Sequence, residues 1–137
     1  MYKILIIDDE KSIADIMAIS LKSDGYEVFT AYNENDSIEI LKKEQPHIVI
    51  TDLKMPGMDG MDVLKKAKEI NIETEIIIST GHGDMDSAIE ALHLGASDFL
   101  NKPIRDDILS VALERAIAKI EIRNKLHDYT RDLESMV

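Results

Sequence analysis

The chain contains no cysteine among its 137 residues. Disulfide bonds, a thiolate nucleophile and a zinc site built from thiolates are therefore all excluded. Basic residues are scarce as well, since 16 Lys and Arg face 27 Asp and Glu and leave a formal net charge of -11. Because contacts with nucleic-acid phosphates need clustered Lys and Arg, this balance argues against direct binding of nucleic acid.

The sequence also lacks a long apolar run near its start. The first run, Ile4–Ile7, has four residues, far too few for the apolar part of a signal peptide or for a membrane span. We therefore expect a cytoplasmic protein that does not bind a membrane. Hydrophobic residues make up 45% of the chain and charged residues 31%, which is typical of a globular fold. One domain is the default at this length.

Short apolar runs alternate with stretches of helical periodicity along most of the chain. The runs are Ile4–Ile7, Val28–Phe29, Ile48–Ile50, Ile76–Ile78 and Phe99–Leu100. Strands that are apolar on both faces are typical of a parallel sheet covered by helices on both sides. We therefore predict an α/β fold with an open, doubly wound, five-stranded parallel sheet and an extended C-terminal helix.

The last predicted helix carries two apolar stripes in succession. The stripe expected to dock on the sheet consists of Leu109, Leu113, Ala116 and Ile120. The next stripe is spaced 4-3-4-3 and consists of Ile122, Leu126, Tyr129, Leu133 and Met136. The step from Ile120 to Ile122 turns the helix by roughly 200°, at about 100° per residue, so the second stripe faces away from the sheet. Such spacing is typical of a coiled-coil linker or a dimerisation helix.

Charge divides the chain at the same place. Residues 1–118 hold 12 Lys and Arg against 23 Asp and Glu, whereas residues 119–137 hold four of each. We predict a globular domain over residues 1–118 and a helical extension over residues 119–137. The extension is expected to be a linker or a dimerisation helix, with a frayed tail as the alternative. Because it ends without a capping residue, we also expect the natural protein to continue beyond residue 137.

Side chains that can carry chemistry follow four of the five apolar runs. In a doubly wound sheet, the ligand site lies beyond the carboxyl ends of the strands. Asp8 and Asp9 follow the first run, and Asp52 follows the third. Thr80 follows the fourth run, and Lys102 follows the fifth. Three carboxylates, a hydroxyl and an ammonium group are therefore expected to meet at one edge of the sheet, although the aspartates and Thr80 also suit helix caps.

Three carboxylates held close together repel one another and raise one another's pKa. A bound divalent cation relieves this repulsion, and oxygen ligands without His or Cys suit Mg²⁺ or Mn²⁺. A carboxylate beside such a cation can attack a phosphoryl group. A lysine and a hydroxyl can stabilise the charge on the transferred group. The residues alone therefore predict an aspartate phosphoacceptor surrounded by a metal, a lysine and a hydroxyl.

The segments around these positions resemble the receiver domain of two-component response regulators. The matching segments are Ile-Ile-Asp-Asp-Glu at 6–10, Asp-Leu-Lys-Met-Pro-Gly-Met-Asp-Gly at 52–60, Ser-Thr at 79–80, and Gly-Ala-Ser-Asp-Phe-Leu-Asn-Lys-Pro at 95–103. The resemblance covers roughly residues 2–118 and implies a flavodoxin-like strand order of 2-1-3-4-5. The stretch after Ser79 is similar to receivers of transcriptional activators of the nitrogen-regulation type.

The resemblance implies a role for each residue of the cluster. Asp52 is the expected phosphoacceptor. Asp9, Asp52 and the backbone carbonyl of Lys54 are the expected metal ligands, with Asp8 acting mostly through a metal-bound water. Lys102 is expected to pair with the phosphoryl group, and Thr80 to donate a hydrogen bond to it.

Further positions are expected to switch the domain or to set the lifetime of its phosphorylated state. Thr80 and Phe99 would change position together on phosphorylation, with Phe99 turning inward. Lys54 and His82, two residues beyond Asp52 and Thr80, would tune the lifetime. The Lys102–Pro103 peptide bond is expected to be cis. The output surface would be formed by the fourth helix, the fifth strand and the fifth helix.

The resemblance implies a phosphorylation-activated signalling switch, and not an enzyme that acts on an external substrate. The switch would weakly catalyse its own phosphorylation and dephosphorylation. Its phosphodonor would be a sensor histidine kinase or a phosphotransfer protein, and its signal would pass to a downstream effector domain or protein. A homodimer through the output surface or through the C-terminal helix is also expected.

Three alternatives remain open from the sequence. An Mg²⁺-dependent phosphohydrolase with an aspartate nucleophile would need an acid two residues after Asp52, where this chain has Lys54. A flavin-binding electron carrier would need a phosphate-binding loop rich in Ser, Thr and Gly after the first strand, where this chain has Asp-Asp-Glu-Lys. A scaffold that is never phosphorylated would be expected to lack one of the acids or the lysine.

Overall fold

The structure is a computed structural model that describes residues 1–55, 58–81 and 84–136. Its strands are β1 (Lys3–Ile7), β2 (Glu27–Ala31), β3 (Ile48–Asp52), β4 (Lys54–Met55), β5 (Met58–Asp59), β6 (Glu75–Thr80) and β7 (Asp98–Asn101). Its helices are α1 (Lys11–Ser23), α2 (Glu34–Glu44), α3 (Gly60–Ile70), α4 (Met85–His93) and α5 (Asp106–Ser135).

Five strands form one parallel sheet in the order β2-β1-β3-β6-β7. This is the order 2-1-3-4-5 expected for the five apolar runs, so the predicted fold class is confirmed. The antiparallel ribbon of β4 and β5 was not predicted, because strands of two residues leave no periodicity in the sequence.

Alternate residues of the buried strands point into two separate cores, as the pleat of a strand requires. On one face, Ile4 and Ile6 pack with buried residues of α1 and α5. On the other face, Leu5 and Ile7 pack with buried residues of α2, α3 and α4. Both faces of β1 are thus covered, which explains why its sequence is an uninterrupted apolar run. The helices leave the carboxyl edge of the sheet free for the polar cluster.

Helix α5 has 30 residues and is continuous across the predicted boundary at residue 118. Its first stripe is buried, as expected, with Leu109, Leu113, Ala116 and Ile120 between 2% and 5% exposed. Its second stripe is exposed, and Ile122, Leu126, Tyr129, Leu133 and Met136 range from 53% to 80%. In the described part of the chain, no helix, α5 included, is both long enough and apolar enough to cross a bilayer.

Gly60 fixes the path of the loop that follows Asp52. Its backbone N–H donates a hydrogen bond to the carbonyl of Leu53 at 3.0 Å. A Cβ atom at Gly60 would lie 2.5 Å from the carbonyl oxygen of Asp52 and 2.6 Å from that of Leu53. Only a residue without a side chain therefore permits this close approach of α3 to the end of β3.

We predict that Gly60→Ala lowers the free energy of unfolding by roughly 1–3 kcal/mol, because backbone must move to make room for the methyl group. Urea denaturation measures the effect. Gly81→Ala is the matched control, since among the described residues its Cβ would meet only Asp84 Oδ2, at 3.8 Å, and it should change stability by less than about 0.5 kcal/mol. Equal stability of the two variants would contradict the assignment of Gly60.

Candidate functional site

Three carboxylates converge at the carboxyl edge of the sheet. Asp8 and Asp9 directly follow β1, and Asp52 is the last residue of the neighbouring strand β3. One carboxylate oxygen from each lies within 4.8 Å of the other two. Asp8 and Asp52 are buried, whereas Asp9 is exposed. The structure therefore brings together the carboxylates that the sequence predicted to meet.

Lys102 supplies the positive charge of the cluster. Its Nζ donates a hydrogen bond to Asp52 Oδ2 and lies 3.9 Å from Asp8 Oδ2. Burial lowers the pKa of Lys102, but the hydrogen bond with Asp52 and the charges of Asp52 and Asp8 outweigh burial and raise it. The lysine thus stays charged and bridges two of the carboxylates. It reaches them from the residue after β7, and the Lys102–Pro103 bond is cis, as expected.

The unfavourable electrostatics of this arrangement appear in the raised pKa of Asp8. Burial raises its pKa, and the charges of Asp52 and Asp9 raise it further. A hydrogen bond of 2.9 Å from the backbone N–H of Glu10 to Asp8 Oδ1, together with the charge of Lys102, opposes this rise in pKa. The site without a cation therefore has an unmet need for positive charge.

Thr80 lies on β6, the strand next to that of Asp52, and Phe99 lies on β7, one strand further along the sheet. Thr80 is 2% exposed, and its Oγ1 lies 3.4 Å from the carbonyl oxygen of Leu100 and 3.4 Å from Asn101 Oδ1. Its hydroxyl therefore bridges β6 to β7. Phe99 is half-buried and packs against the core on the α3 and α4 side of the sheet. Part of the ring surface of Phe99 is therefore exposed, and an inward rotation of the side chain would bury more of it.

Lys54 links the Asp52 loop to the start of α4. Its backbone N–H donates to Asp52 Oδ1 at 3.4 Å, and its Nζ lies 2.6 Å from Asp84 Oδ1. Asp84 occupies the N-cap position of α4, but its side chain makes no capping hydrogen bond. The link between Lys54 and Asp84 was not predicted, because nothing local connects two residues that are 30 positions apart. His82, the other expected lifetime-tuning residue, lies outside the described residues.

The donor set suits a hard divalent cation. It consists of carboxylate oxygens from Asp8, Asp9 and Asp52. Such oxygens match the preference of Mg²⁺ and Mn²⁺. A cation among the carboxylates would also oppose the effects of burial and of the neighbouring carboxylates, which together raise the pKa of Asp8. The residues present therefore fit a metal of this class.

Comparison with known proteins places this site in a family. The model of the response regulator receiver domain matches residues 4–114. The chain belongs to the response regulator receiver domain family. The protein is thus a phosphorylation-activated signalling switch of the two-component type, as the sequence predicted. Receivers of this family interact with histidine kinases or other phosphodonors and with effector domains.

Solved structures agree with this assignment. A response regulator receiver domain protein from Clostridium thermocellum is 40% identical, with a TM-score of 0.85, covering 89% of this chain and 98% of that one. The receiver domain of the Francisella response regulator 1452 is 26% identical, with a TM-score of 0.79, covering 88% of this chain and 99% of that one.

NtrX from Brucella abortus is 30% identical to the receiver, with a TM-score of 0.88. The match covers 93% of this chain but 30% of NtrX, so most of NtrX has no counterpart here. This likeness agrees with the predicted resemblance to receivers of the nitrogen-regulation type.

We predict that Asp8→Asn raises the free energy of unfolding at pH 7 without divalent cations. The pKa of Asp8 is raised in the folded protein, so stability is lost as the pH rises from the ordinary carboxyl pKa of about 3.9 through the folded value. The gain should therefore disappear below about pH 4. Urea denaturation at both pH values measures it.

Mg²⁺ provides the internal control for the Asp8→Asn experiment. It should stabilise the wild-type protein, because a ligand that binds only the folded state raises the unfolding free energy. It should stabilise the variant less. A variant that is less stable than wild type at pH 7 without a cation would contradict the account of Asp8.

Proposed function

We propose that Asp52 accepts a phosphoryl group from a phosphohistidine of a sensor histidine kinase or a phosphotransfer protein. A carboxylate oxygen of Asp52 forms the new bond to phosphorus, the phosphorus–nitrogen bond of the donor breaks, and the histidine nitrogen keeps the electron pair. The observation that carries this proposal is the position of Asp52, buried at the end of β3 between Lys102 and two further carboxylates.

A cation would be held by Asp9, Asp52 and the backbone carbonyl of Lys54, with Asp8 acting through water. Bound there, Mg²⁺ or Mn²⁺ would neutralise charge on the phosphoryl oxygens. Lys102 performs the same neutralisation from the other side, because its Nζ is already hydrogen-bonded to Asp52. The same groups give the receiver weak catalysis of its own phosphorylation and dephosphorylation.

Thr80 and Phe99 would change position when Asp52 carries the charge of a phosphoryl group. The Thr80 hydroxyl lies 3.4 Å from each of its two acceptors. These distances are long for O–H···O hydrogen bonds, so the hydroxyl is held weakly. A phosphoryl oxygen on Asp52 is a stronger acceptor and would draw the hydroxyl toward it. The half-buried ring of Phe99 would then turn inward on the neighbouring strand.

A phosphohydrolase with an aspartate nucleophile is not favoured. Such an enzyme needs an acid two residues after the nucleophile to protonate its leaving group. That position holds Lys54, whose ammonium group is paired with Asp84.

We predict that acetyl phosphate with Mg²⁺ adds one acid-labile phosphoryl group to the protein. Asp52→Asn should abolish the adduct, because an amide is not nucleophilic. Asp62→Asn, an exposed carboxylate of α3, is the matched control and should label as wild type does. Intact-mass spectrometry after a brief incubation measures the adduct. Labelling of the Asp52→Asn variant at the wild-type level would refute the proposal.

We propose that the Lys54–Asp84 ion pair slows hydrolysis of the phosphorylated state. The Lys54 side chain runs from the Asp52 loop to the N-terminus of α4 and is anchored there at 2.6 Å. An anchored side chain in this position limits the approach of water to the phosphorus atom.

We predict that Lys54→Ala and Asp84→Ala each shorten the lifetime of the phosphorylated protein several-fold. Because both residues act through one ion pair, the double variant should show the same lifetime as either single variant. Loss of the adduct with time, followed by intact mass, measures the lifetime. Multiplicative effects in the double variant would show that the two residues act separately.

The phosphodonor is proposed to dock over the groove between α1 and the start of α5. This groove has a volume of about 550 Å³ and opens beside Asp8 and Lys102. Ile16 of α1 lines it and is 69% exposed, as is Ile19 one turn further on. Exposed isoleucines next to a reactive site favour contact with a partner.

The output surface is proposed to lie on α4, β7 and α5. Ile89 of α4 is 45% exposed, as is Ile108 of α5, and Val111 is 47% exposed. Residues 119–137 form the proposed extension that leads from this receiver to an effector, or that joins two copies. The exposed stripe from Ile122 to Met136 supports the second role, because its spacing matches a coiled-coil seam.

We predict that the full chain forms a dimer through this stripe. Leu126→Gln combined with Leu133→Gln should halve the mass measured by light scattering at high protein concentration. Ile72→Gln, which changes an apolar side chain that is 74% exposed outside the stripe, should leave the mass unchanged. A monomeric wild-type protein would count against the dimerisation role.

A further inference from the structure

The end of the sheet opposite Asp52 holds a second cluster of charged groups. Glu75, the first residue of β6, is 3% exposed. Its Oε1 accepts a hydrogen bond of 2.5 Å from Arg123 Nη2, and Arg123 Nη1 donates to the carbonyl oxygen of Glu73 at 2.7 Å. The guanidinium thus joins α5 to the start of a central strand.

Both carboxylate oxygens of Glu75 have partners. Ser97 Oγ donates a hydrogen bond to Glu75 Oε2 and accepts one of 3.2 Å from the backbone N–H of Ile76. Ser97 directly precedes β7. The cluster therefore connects the beginnings of β6 and β7, whose other ends lead to Thr80 and Lys102.

Other charged groups face this cluster. Lys68 of α3 is a second cation near Glu75, but its Nζ donates to the carbonyl oxygens of Ile72 and Thr74, at 3.1 and 2.7 Å. His127 Nε2 lies 2.8 Å from Glu73 Oε1, on the exposed rim. Arg123 is therefore the cation that pairs directly with Glu75.

Arg123 and His127 continue the docking stripe of α5. That stripe descends through Leu109, Leu113, Ala116 and Ile120, and the next positions at the same 4-3 spacing are 123 and 127. The core ends at Ile120, and from there polar contacts hold the helix. The stripe from Ile122 onward faces away from the sheet, as the step of roughly 200° from Ile120 to Ile122 requires, and stays exposed.

We propose that Arg123 is a positioning residue for the C-terminal extension. Its ion pair with Glu75 holds residues 119–127 against the base of the sheet, so that α5 leaves the receiver in one direction. The pair also fixes the rotation of α5 about its axis, which sets the face on which the stripe from Ile122 to Met136 is presented to a second copy or an effector. This role rests on the output function proposed above for the extension.

The test compares hydrogen exchange in the full-length variants Arg123→Gln, Glu75→Gln and their double variant. Breaking the pair should speed exchange of amides 121–130 by roughly tenfold, because a hydrogen bond to a charged group is lost. Amides of β1 should change less. The double variant should match the more affected single variant, since both act through one pair.

Two controls separate positioning from general destabilisation. Arg131→Gln changes an arginine of the same helix whose ion pair in the described part of the chain lies within α5, with Asp128, and should leave exchange at 121–130 unchanged. Arg123→Lys, which keeps the charge, should restore part of the protection. Unchanged exchange at 121–130 in Arg123→Gln, or an equal increase in β1, would overturn the proposal.

The result of the hydrogen-exchange experiment does not depend on phosphorylation at Asp52. All variants of the pair should label with acetyl phosphate as wild type does, because the cluster lies at the far end of the sheet. Failure of labelling in every protein would refute the proposed function and leave the exchange result standing. Normal labelling with unchanged exchange would refute only the role of Arg123.

Discussion

Repulsion among three carboxylates at one edge of the sheet is the constraint on which this receiver depends. The parallel arrangement of β1 and β3 forces Asp8, Asp9 and Asp52 together, and the burial of two of them removes water that would screen their charges. Lys102 compensates for part of this charge from the end of β7. The negative charge that remains favours binding of a cation. Lys102 and that cation could then bind a phosphoryl group between them.

The two ends of the same strands have different tasks. At the carboxyl ends of β6 and β7, Thr80 and Lys102 lie beside Asp52, the proposed phosphoacceptor, and are held by contacts that can be exchanged. At the amino ends, Glu75 and Ser97 form closed hydrogen bonds with Arg123 of α5. We propose that one end responds to charge, whereas the other keeps α5, the proposed output helix, in place.

The sequence predicted the sheet and the carboxylate cluster because both follow from local patterns. Apolar runs identify buried parallel strands, and the residues after Ile7, Thr51 and Asn101 must then meet. The Lys54–Asp84 and Glu75–Arg123 pairs were not predicted, since each joins residues at least 30 positions apart. In the sequence, Arg123 is one of several charged residues of both signs in the last helix. The burial of Ile120 in the core shows that Arg123 continues the face of α5 that packs on the sheet.

The central claim is that phosphorylation completes the cluster around Asp52. A structure of the protein with Mg²⁺ and beryllium fluoride, a mimic of the phosphoryl group, tests it most directly. The account predicts beryllium bonded to a carboxylate oxygen of Asp52, with fluorine atoms in contact with Lys102 Nζ and Thr80 Oγ1. Beryllium fluoride on Asp8 or Asp9, or Thr80 still bridging to β7 beside an occupied Asp52, would contradict the account.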